Sequence, residues 1–427
     1  MLKTLSLKSE FTKNTFVLII GTVAAQSIPI LLQPFLRRIY SPEDFGAMAV
    51  YLTIFGMITI ASSLRYEAAI VLPKNNIAAA NILSLACLIT IFFSLILFVA
   101  LFFFKNEIVQ LINFPVKYSN YLYFLPFACS AFSIFQSMNY WLIRQKAFKS
   151  SANNKIVRRG IEGVIQTVSG VFKIPGGLFF GDLAGNLANV LAGIRQLFRN
   201  DFDLKFVSLK KIKCVLKRYS DFPKFNVLPT LLSSAATVLP FLFINKLYST
   251  ETVGYLDLSR LVLSIPLIFI SSSISQVFFQ QTTEKKNSSL SIKKDVMNIL
   301  YVLLAIVLIE ALLILLFGPA LFGFVFGSRY EVSGLFSQIL VFSFALNFIG
   351  SAFSSIFITF EKIRLNSIWQ IIYFLAICSL LFLKKTDIYD FLKIYVLIEI
   401  CMHTAYCVMV YFIVSRYENK IKKQILL

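Results

Sequence analysis

Residues 36–46 read LRRIYSPEDFG, and the related stretch FINKLYSTETVG occupies residues 243–254. Four residues of the first stretch recur 208 positions later in the second, namely Tyr40, Ser41, Glu43 and Gly46. In both places the stretch lies between an apolar run that carries prolines and a second apolar run. Matching letters in a matching context indicate an internal duplication. We therefore expect two halves with the same fold.

The composition of the chain indicates a membrane protein. Of its 427 residues, 58% are hydrophobic and only 15% are charged, whereas soluble domains average about 25% charged residues. Apolar runs such as 77–104 and 296–317 meet the requirement of about 20 residues for crossing a bilayer. The six cysteines lie singly, so we predict no disulfide framework, metal site or cofactor.

The apolar runs predict an all-α polytopic fold with twelve transmembrane helices. Six helices form each half, and an even number of helices between the copies makes the two bundles parallel. The predicted spans are 14–35, 46–64, 77–104, 120–143, 157–173, 176–195, 225–245, 252–280, 296–317, 334–360, 365–383 and 390–414.

The distribution of basic residues predicts the orientation of the chain. A net charge of +20 would suggest nucleic acid as a partner of a soluble protein, but here the basic residues lie between apolar runs. With both termini in the cytoplasm, Lys and Arg on that side outnumber those outside by about three to one. The predicted domains are an N-terminal bundle (1–198), a basic cytoplasmic linker (199–224) and a C-terminal bundle (225–427).

Signatures of membrane enzymes are absent from the sequence. It contains no HExxH, P-loop or GxSxG motif, and His403 is its one histidine, which argues against triad or zinc chemistry. Asp201 and Asp203 form a DxD pair, which we interpret as part of a solvated loop because no nucleotide-binding domain surrounds it. Gly181 and Gly185 form a GxxxG pair that predicts a close helix contact.

Cations outnumber acids among the ionisable residues at or inside the predicted membrane region. A cavity lined by such cations would attract an anion such as a pyrophosphate. The candidate substrate-binding residues are Arg37, Arg38, Arg65, Lys246, Arg260 and Arg329.

Three acids are candidates for ion coupling, because ionisable groups inside a membrane are costly. Asp257 lies three residues before Arg260, and the two form either a self-neutralising pair or part of a pathway. Glu310 and Glu399 lie within predicted spans, the latter one turn before His403. Each either binds a proton or sodium or caps a neighbouring polar group.

Four segments resemble the polysaccharide or O-antigen (Wzx-type) flippases of the multidrug/oligosaccharidyl-lipid/polysaccharide (MOP) exporter superfamily. They are LRRIYSPEDFGAMAVY (36–51), LRYEAAIVLPKNNIAAAN (64–81), SRLVLSIPLIFISSSISQV (259–277) and GSRYEVSG (327–334).

The resemblance implies a MATE-like fold in which the two bundles form a V around a central cavity. It also implies transport of an undecaprenyl-pyrophosphate type oligosaccharide, such as an O-antigen (lipopolysaccharide), capsule or exopolysaccharide repeat unit, across the bacterial inner membrane. The expected coupling ion is H⁺ or Na⁺, and the expected partners are membrane lipids and other polysaccharide-assembly proteins. The resemblance puts Arg65 at the inner end of helix two and Arg260 at the cavity.

Two other functions compete with a non-enzymatic flippase. A multidrug or cation extruder of the same superfamily would need an acidic cavity, and this chain predicts a basic one. A polysaccharide polymerase or ligase would need a sizeable outward loop, whereas the largest outward segments, 105–119 and 384–393, are short. The sequence therefore favours the flippase.

Overall fold

A computed structural model describes residues 24–383 and 386–425 of the chain. Nearly all of these residues are helical, and these two ranges contain no β-strand. The first helix, α1, covers residues 24–39 within the described ranges. The others are α2 (Pro42–Ser62), α3 (Asn76–Ile112), α4 (Phe124–Arg144), α5 (Phe148–Val171), α6 (Gly177–Arg199), α7 (Leu209–Arg218), α8 (Asp221–Leu247), α9 (Thr250–Asn287), α10 (Lys293–Phe326), α11 (Glu331–Ala352), α12 (Ser355–Thr359), α13 (Ile363–Cys378) and α14 (Ile388–Ile425).

Each of the twelve predicted spans overlaps one of these helices. Among the described residues, seven helical segments are long and apolar enough to cross a membrane, and a bent pair within α8 makes up to eight. Polar helices such as α5, which carries several charged residues, are not among them. The predicted all-α polytopic fold is confirmed.

The chain divides into two compact units, unit 1 ending at Val238 and unit 2 beginning at Leu239. The division falls inside α8, so that helix contributes residues to both units.

The offset of 208 residues relates the helix boundaries of the two halves. Residue 39 ends α1 and Leu247 ends α8, while Pro42 begins α2 and Thr250 begins α9. The same offset carries the last residue of α4, Arg144, to the last residue of α11, Ala352. The duplication read from one short stretch therefore extends over several helices.

The repeated stretch forms the same helix cap in both units. The hydroxyl of Ser41 accepts the backbone N–H of Asp44 at 3.2 Å, and the hydroxyl of Ser249 accepts that of Thr252 at 3.1 Å. In unit 1 the Asp44 carboxylate also accepts the backbone N–H of Ser41 at 2.8 Å, which completes a capping box. The Tyr118 hydroxyl donates to the same carboxylate. Burial is the larger cause, and this hydrogen bond the second, of the raised pKa of Tyr118.

The tyrosine before each cap ties it to a later part of its unit. The Tyr40 hydroxyl donates to the carbonyl oxygen of Gln166 at 2.8 Å, and the Tyr248 hydroxyl donates to that of Thr386 at 3.0 Å. Each capped turn is thus fixed by contacts far along the chain.

The predicted linker region, 199–224, is part of unit 1 and packs on its helices. Trp141 donates its indole N–H to the carbonyl oxygen of Asn200 at 2.9 Å. The Asn81 side chain donates to the carbonyl oxygen of Phe206 at 2.8 Å and accepts the backbone N–H of Ser208 at 2.9 Å. Ile212 and Val215 of α7 join the same apolar core as Trp141.

Asp203 accepts the backbone N–H of Lys205 at 2.9 Å, so this half of the DxD pair caps a turn.

Candidate functional site

The predicted cations of unit 1 lie at the two ends of α2. Arg37 is buried, with its guanidinium carbon 3.6 Å from the ring centroid of Phe45, and its Nε donates to Gln33 Oε1 at 3.0 Å. Arg38 is exposed. Beyond the other end of the helix, Arg65 adopts a left-handed conformation with φ of 64°.

Arg65 pairs with a buried acid. Its guanidinium lies 3.3 Å from the Glu67 carboxylate, whose other oxygen accepts the Ser63 hydroxyl. The intervening helix α2 has 21 residues, which corresponds to a length of about 30 Å. The structure therefore does not bring Arg37 and Arg65 to one small ligand.

The predicted cations of unit 2 have contrasting surroundings. Arg260 is half-buried on α9, with its guanidinium carbon 4.5 Å from the ring centroid of Phe241. Asp257, one turn earlier on the same helix, is also half-buried. Lys246 and Arg329 are exposed. Arg260 and Asp257 are thus partly enclosed by unit 2, whereas Lys246 and Arg329 face outward.

The other two candidate acids differ sharply from each other. Glu310 is half-buried on α10 beside Ile309, which is 67% exposed, so this part of the helix faces outward. Glu399 on α14 is buried, and it contacts Tyr373 and His403. Only Glu399 thus belongs to a polar cluster of the unit interior.

A second set of polar residues, which the sequence analysis did not select, meets in unit 1. These residues line a cavity of about 170 Å³, called here the basic cavity, whose apolar wall includes Phe132 and Phe135. Its polar lining consists of Gln26, Gln136, Asn139, Lys155, Arg158, Arg159 and Asn189.

Helix α5 supplies the charges of the basic cavity. Arg158 and Arg159 are adjacent, and each lies three or four residues from Lys155 and from Glu162, which puts the four on one side of a helix. Arg159 contacts both oxygens of the Glu162 carboxylate, at 2.8 and 3.1 Å. Arg158 lies 3.7 Å from the Asp182 carboxylate on α6.

Two glycines let α6 approach α5 closely enough for these contacts. A Cβ at Gly185 would lie 2.9 Å from the carbonyl oxygen of Arg158, and one at Gly181 would lie 2.4 Å from the side chain of Gln166. Real Cβ atoms essentially never make such short contacts with a backbone oxygen. The predicted close helix contact of the GxxxG pair is therefore confirmed.

The basic cavity combines excess positive charge with unpaired polar atoms. Three cations line it. Two of them, Arg158 and Arg159, pair with the carboxylates of Asp182 and Glu162, which are outside the lining. Within the described residues, buried polar atoms without a hydrogen-bond partner include Arg158 Nε, Asp182 Oδ2 and Asn189 Oδ1. Because an unpaired buried polar atom costs about 1–3 kcal/mol, the arrangement suits a polar ligand or water, and the guanidinium donors favour an anion.

The sequence analysis missed this cavity because it put the start of the fifth helix in the wrong place. It ended the fourth span at 143 and began the fifth at 157, which left residues 144–156 between spans, whereas α5 begins at Phe148. If every helix is assumed to face lipid, a segment with many charged residues is assigned to a loop. The helical spacing of Lys155, Arg158, Arg159 and Glu162, matched by Asp182, Asn186 and Asn189 on α6, was the available signal.

Most of this chain matches a known protein family. The family model described as "Polysaccharide biosynthesis protein" matches residues 35–335. This chain belongs to the polysaccharide biosynthesis protein family. The prediction of a polysaccharide family is confirmed, and the helices of the described residues agree with a multi-pass membrane fold. No curated protein matches the sequence.

Solved structures show the same fold for this member of the polysaccharide biosynthesis protein family. An inward-facing multidrug resistance MATE transporter of the MOP superfamily aligns with a TM-score of 0.72 at 14% identity, covering 94% of this chain and 99% of that one. A MOP-superfamily transporter from Pyrococcus furiosus, whose binding pocket is described as having reverse polarity, aligns with a TM-score of 0.62 at 14% identity, covering 95% and 96%. A mutant of the Vibrio cholerae MATE transporter VcmN aligns with a TM-score of 0.61 at 13% identity, covering 99% of both chains.

Proposed function

We propose that this transporter is a flippase that moves a lipid pyrophosphate-linked oligosaccharide from the cytoplasmic to the outer leaflet of a bacterial inner membrane. The observation that carries the proposal is the basic cavity of unit 1, where Lys155, Arg158 and Arg159 converge. Guanidinium groups bind phosphate oxygens through paired, charge-assisted hydrogen bonds. The amides of Gln136 and Asn139 offer further donors and acceptors for sugar hydroxyls.

Transport proceeds by alternating access, coupled to an ion gradient. Among the predicted coupling residues Asp257, Glu310 and Glu399, the buried contacts of Glu399 best suit this role. The predicted N-in, C-in topology puts the α4–α5 junction on the cytoplasmic side. The lipid tail of the substrate stays in the bilayer while the charged headgroup crosses.

A multidrug or cation extruder of the same superfamily is the alternative. A cationic drug would meet net positive charge in the basic cavity and would be repelled. For the Pyrococcus furiosus transporter, the reverse polarity of the binding pocket is described as suggesting a different function. A change of charge in this fold is thus a reasonable basis for a change of substrate.

Reconstituted protein tests the proposal directly. Proteoliposomes receive a fluorescent polyprenyl-pyrophosphate disaccharide in one leaflet, and dithionite quenching reports its appearance in the other; ethidium transport is measured in parallel. We expect Arg158→Gln to slow lipid flipping by about tenfold or more, because a charged hydrogen bond to the phosphate is lost. Arg195→Gln, which changes an exposed arginine on α6, is the matched control and should flip normally. Wild-type protein that transports ethidium but not the lipid would overturn the proposal.

A further inference from the structure

Glu399 is the centre of a buried polar cluster in unit 2. On α14, His403 follows it by four residues, and the two side chains are 4% and 6% exposed. His403 Nε2 lies 2.9 Å from one oxygen of the Glu399 carboxylate. The Tyr373 hydroxyl of α13 donates to the other oxygen at 2.5 Å.

Aromatic side chains of α13 close the cluster on one side. Trp369 stacks on Tyr373 with a centroid distance of 5.2 Å, and its ring centroid lies 5.8 Å from that of His403. The Trp369 indole N–H donates to the carbonyl oxygen of Met402 at 2.8 Å. The pair of Glu399 and His403 is therefore enclosed by protein groups at the level of the membrane span.

Few other ionisable groups face this pair. The Tyr395 hydroxyl, on α14, interacts with the Glu399 carboxylate, and Arg260 of α9 acts electrostatically on both Tyr373 and Tyr395. Helix α11, which also packs on α14, has no ionisable residue after Glu331 in its first position, and α12 has none. Arg260 is therefore the cation that acts on the two tyrosines around the pair.

The partners of Glu399 suit a proton better than a metal cation. Hard cations such as sodium are bound by several oxygen ligands, but here one carboxylate oxygen faces an imidazole nitrogen and the other accepts a hydroxyl proton. Among the described residues, no three His, Cys, Asp or Glu side chains converge as metal ligands would. Imidazole, by contrast, is the side chain that takes up and releases protons near neutral pH.

We infer that the Glu399–His403 pair is the proton-binding site through which this transporter couples to a proton gradient. The inference rests on the proposed function in that it assumes ion-coupled transport. In the unloaded state, a neutral His403 donates its Nε2–H to the Glu399 carboxylate. Uptake of one proton at His403 Nδ1 gives imidazolium beside carboxylate, and its release restores the starting pair. The charge of the cluster thus rises by one unit and falls again in each cycle.

Intrinsic fluorescence reports this proton directly. The chain has two tryptophans, so subtracting the emission of Trp369→Phe from that of the full-length protein in nanodiscs isolates Trp369. Because imidazolium quenches a neighbouring indole, we expect Trp369 emission to rise with pH in a single step. Adding NaCl at fixed pH, against an equal concentration of choline chloride, should leave the emission unchanged.

Two variants separate proton binding from a structural role. His403→Gln preserves a hydrogen-bond donor to Glu399 and should fold normally, yet it should lose the pH-dependent emission completely. In proteoliposomes it should also lose the acceleration of lipid flipping by an imposed pH gradient. Lys393→Gln, an exposed change on α14, should alter neither measurement.

The outcomes distinguish this inference from the proposed function. Flipping that follows a sodium gradient, or a pH response of Trp369 that survives in His403→Gln, would overturn the proton site while leaving a flippase. A Trp369 response abolished by His403→Gln, in a protein that flips no lipid-linked sugar, would preserve the proton site and overturn the flippase.

Discussion

Arg158 on α5 lies 3.7 Å from Asp182 on α6, and their side chains are 16% and 1% exposed. Burying two charges is favourable only while each compensates the other. The pair therefore links the stability of unit 1 to the electrostatics of the basic cavity.

Removing one member of this pair should destabilise the protein more than removing both. Arg158→Gln leaves the Asp182 carboxylate buried without its cation, which typically costs about 3 kcal/mol or more. We expect a clear drop in thermal unfolding temperature in detergent, and we expect Arg158→Gln/Asp182→Asn to recover most of it. Lipid flipping should stay low in the double variant, because the guanidinium is still missing. A double variant as unstable as the single one would show that the two charges are not coupled.

Gly185 should be intolerant of even one added methyl group. A Cβ there would meet the Arg158 carbonyl oxygen at 2.9 Å, whereas one at Gly160 on α5 would meet nothing within 4 Å. Gly160→Ala should be neutral or slightly stabilising, since alanine favours a helix over glycine by about 1 kcal/mol. Gly185→Ala should lower the unfolding temperature by forcing α6 away from α5. Equal behaviour of the two variants in a thermal melt would contradict this packing.

The capping box at Ser41 should contribute measurably to stability. Asp44→Ala removes the carboxylate that accepts both the Ser41 backbone N–H and the Tyr118 hydroxyl. Loss of a cap typically costs about 1 kcal/mol, and the loss of the acceptor for the Tyr118 O–H donor adds to it. Glu43→Ala, which changes the exposed acid next to it, is the control. The unfolding temperatures of the two variants, measured side by side, should differ with Asp44→Ala the lower.

Asn81 should hold the segment that precedes α7 against unit 1. Its fully buried side chain bonds to the backbone of both Phe206 and Ser208. We expect Asn81→Ala to speed tryptic cleavage within 204–218 by about tenfold, because two buried hydrogen bonds are lost. Asn153→Ala, an exposed change on α5, should be cleaved at the wild-type rate. Unchanged cleavage in Asn81→Ala would mean that the apolar contacts of Ile212 and Val215 suffice.

The sequence was enough to predict most of the helices, the family and the turns of the repeat, because these depend on local patterns. Ser41 and Ser249 are of a residue type that commonly caps the start of a helix. Glu399 and His403 can be paired by their four-residue spacing. The contacts of Tyr373 with Glu399 and of Arg158 with Asp182 join helices that meet only through packing. No local pattern encodes them, so the basic cavity had to be found in three dimensions.

The helix cap shared by the two units is consistent with their origin by duplication. At the duplication offset, Lys155, Arg158 and Arg159 correspond to Ile363, Asn366 and Ser367, while Leu191 and Arg195 correspond to Glu399 and His403. The two halves share the capped turn but differ in their ionisable residues. At each set of matching positions, one half carries an ionisable cluster and the other does not. In the roles proposed above, one copy of the duplicated unit binds the cargo and the other takes up the proton that drives its movement.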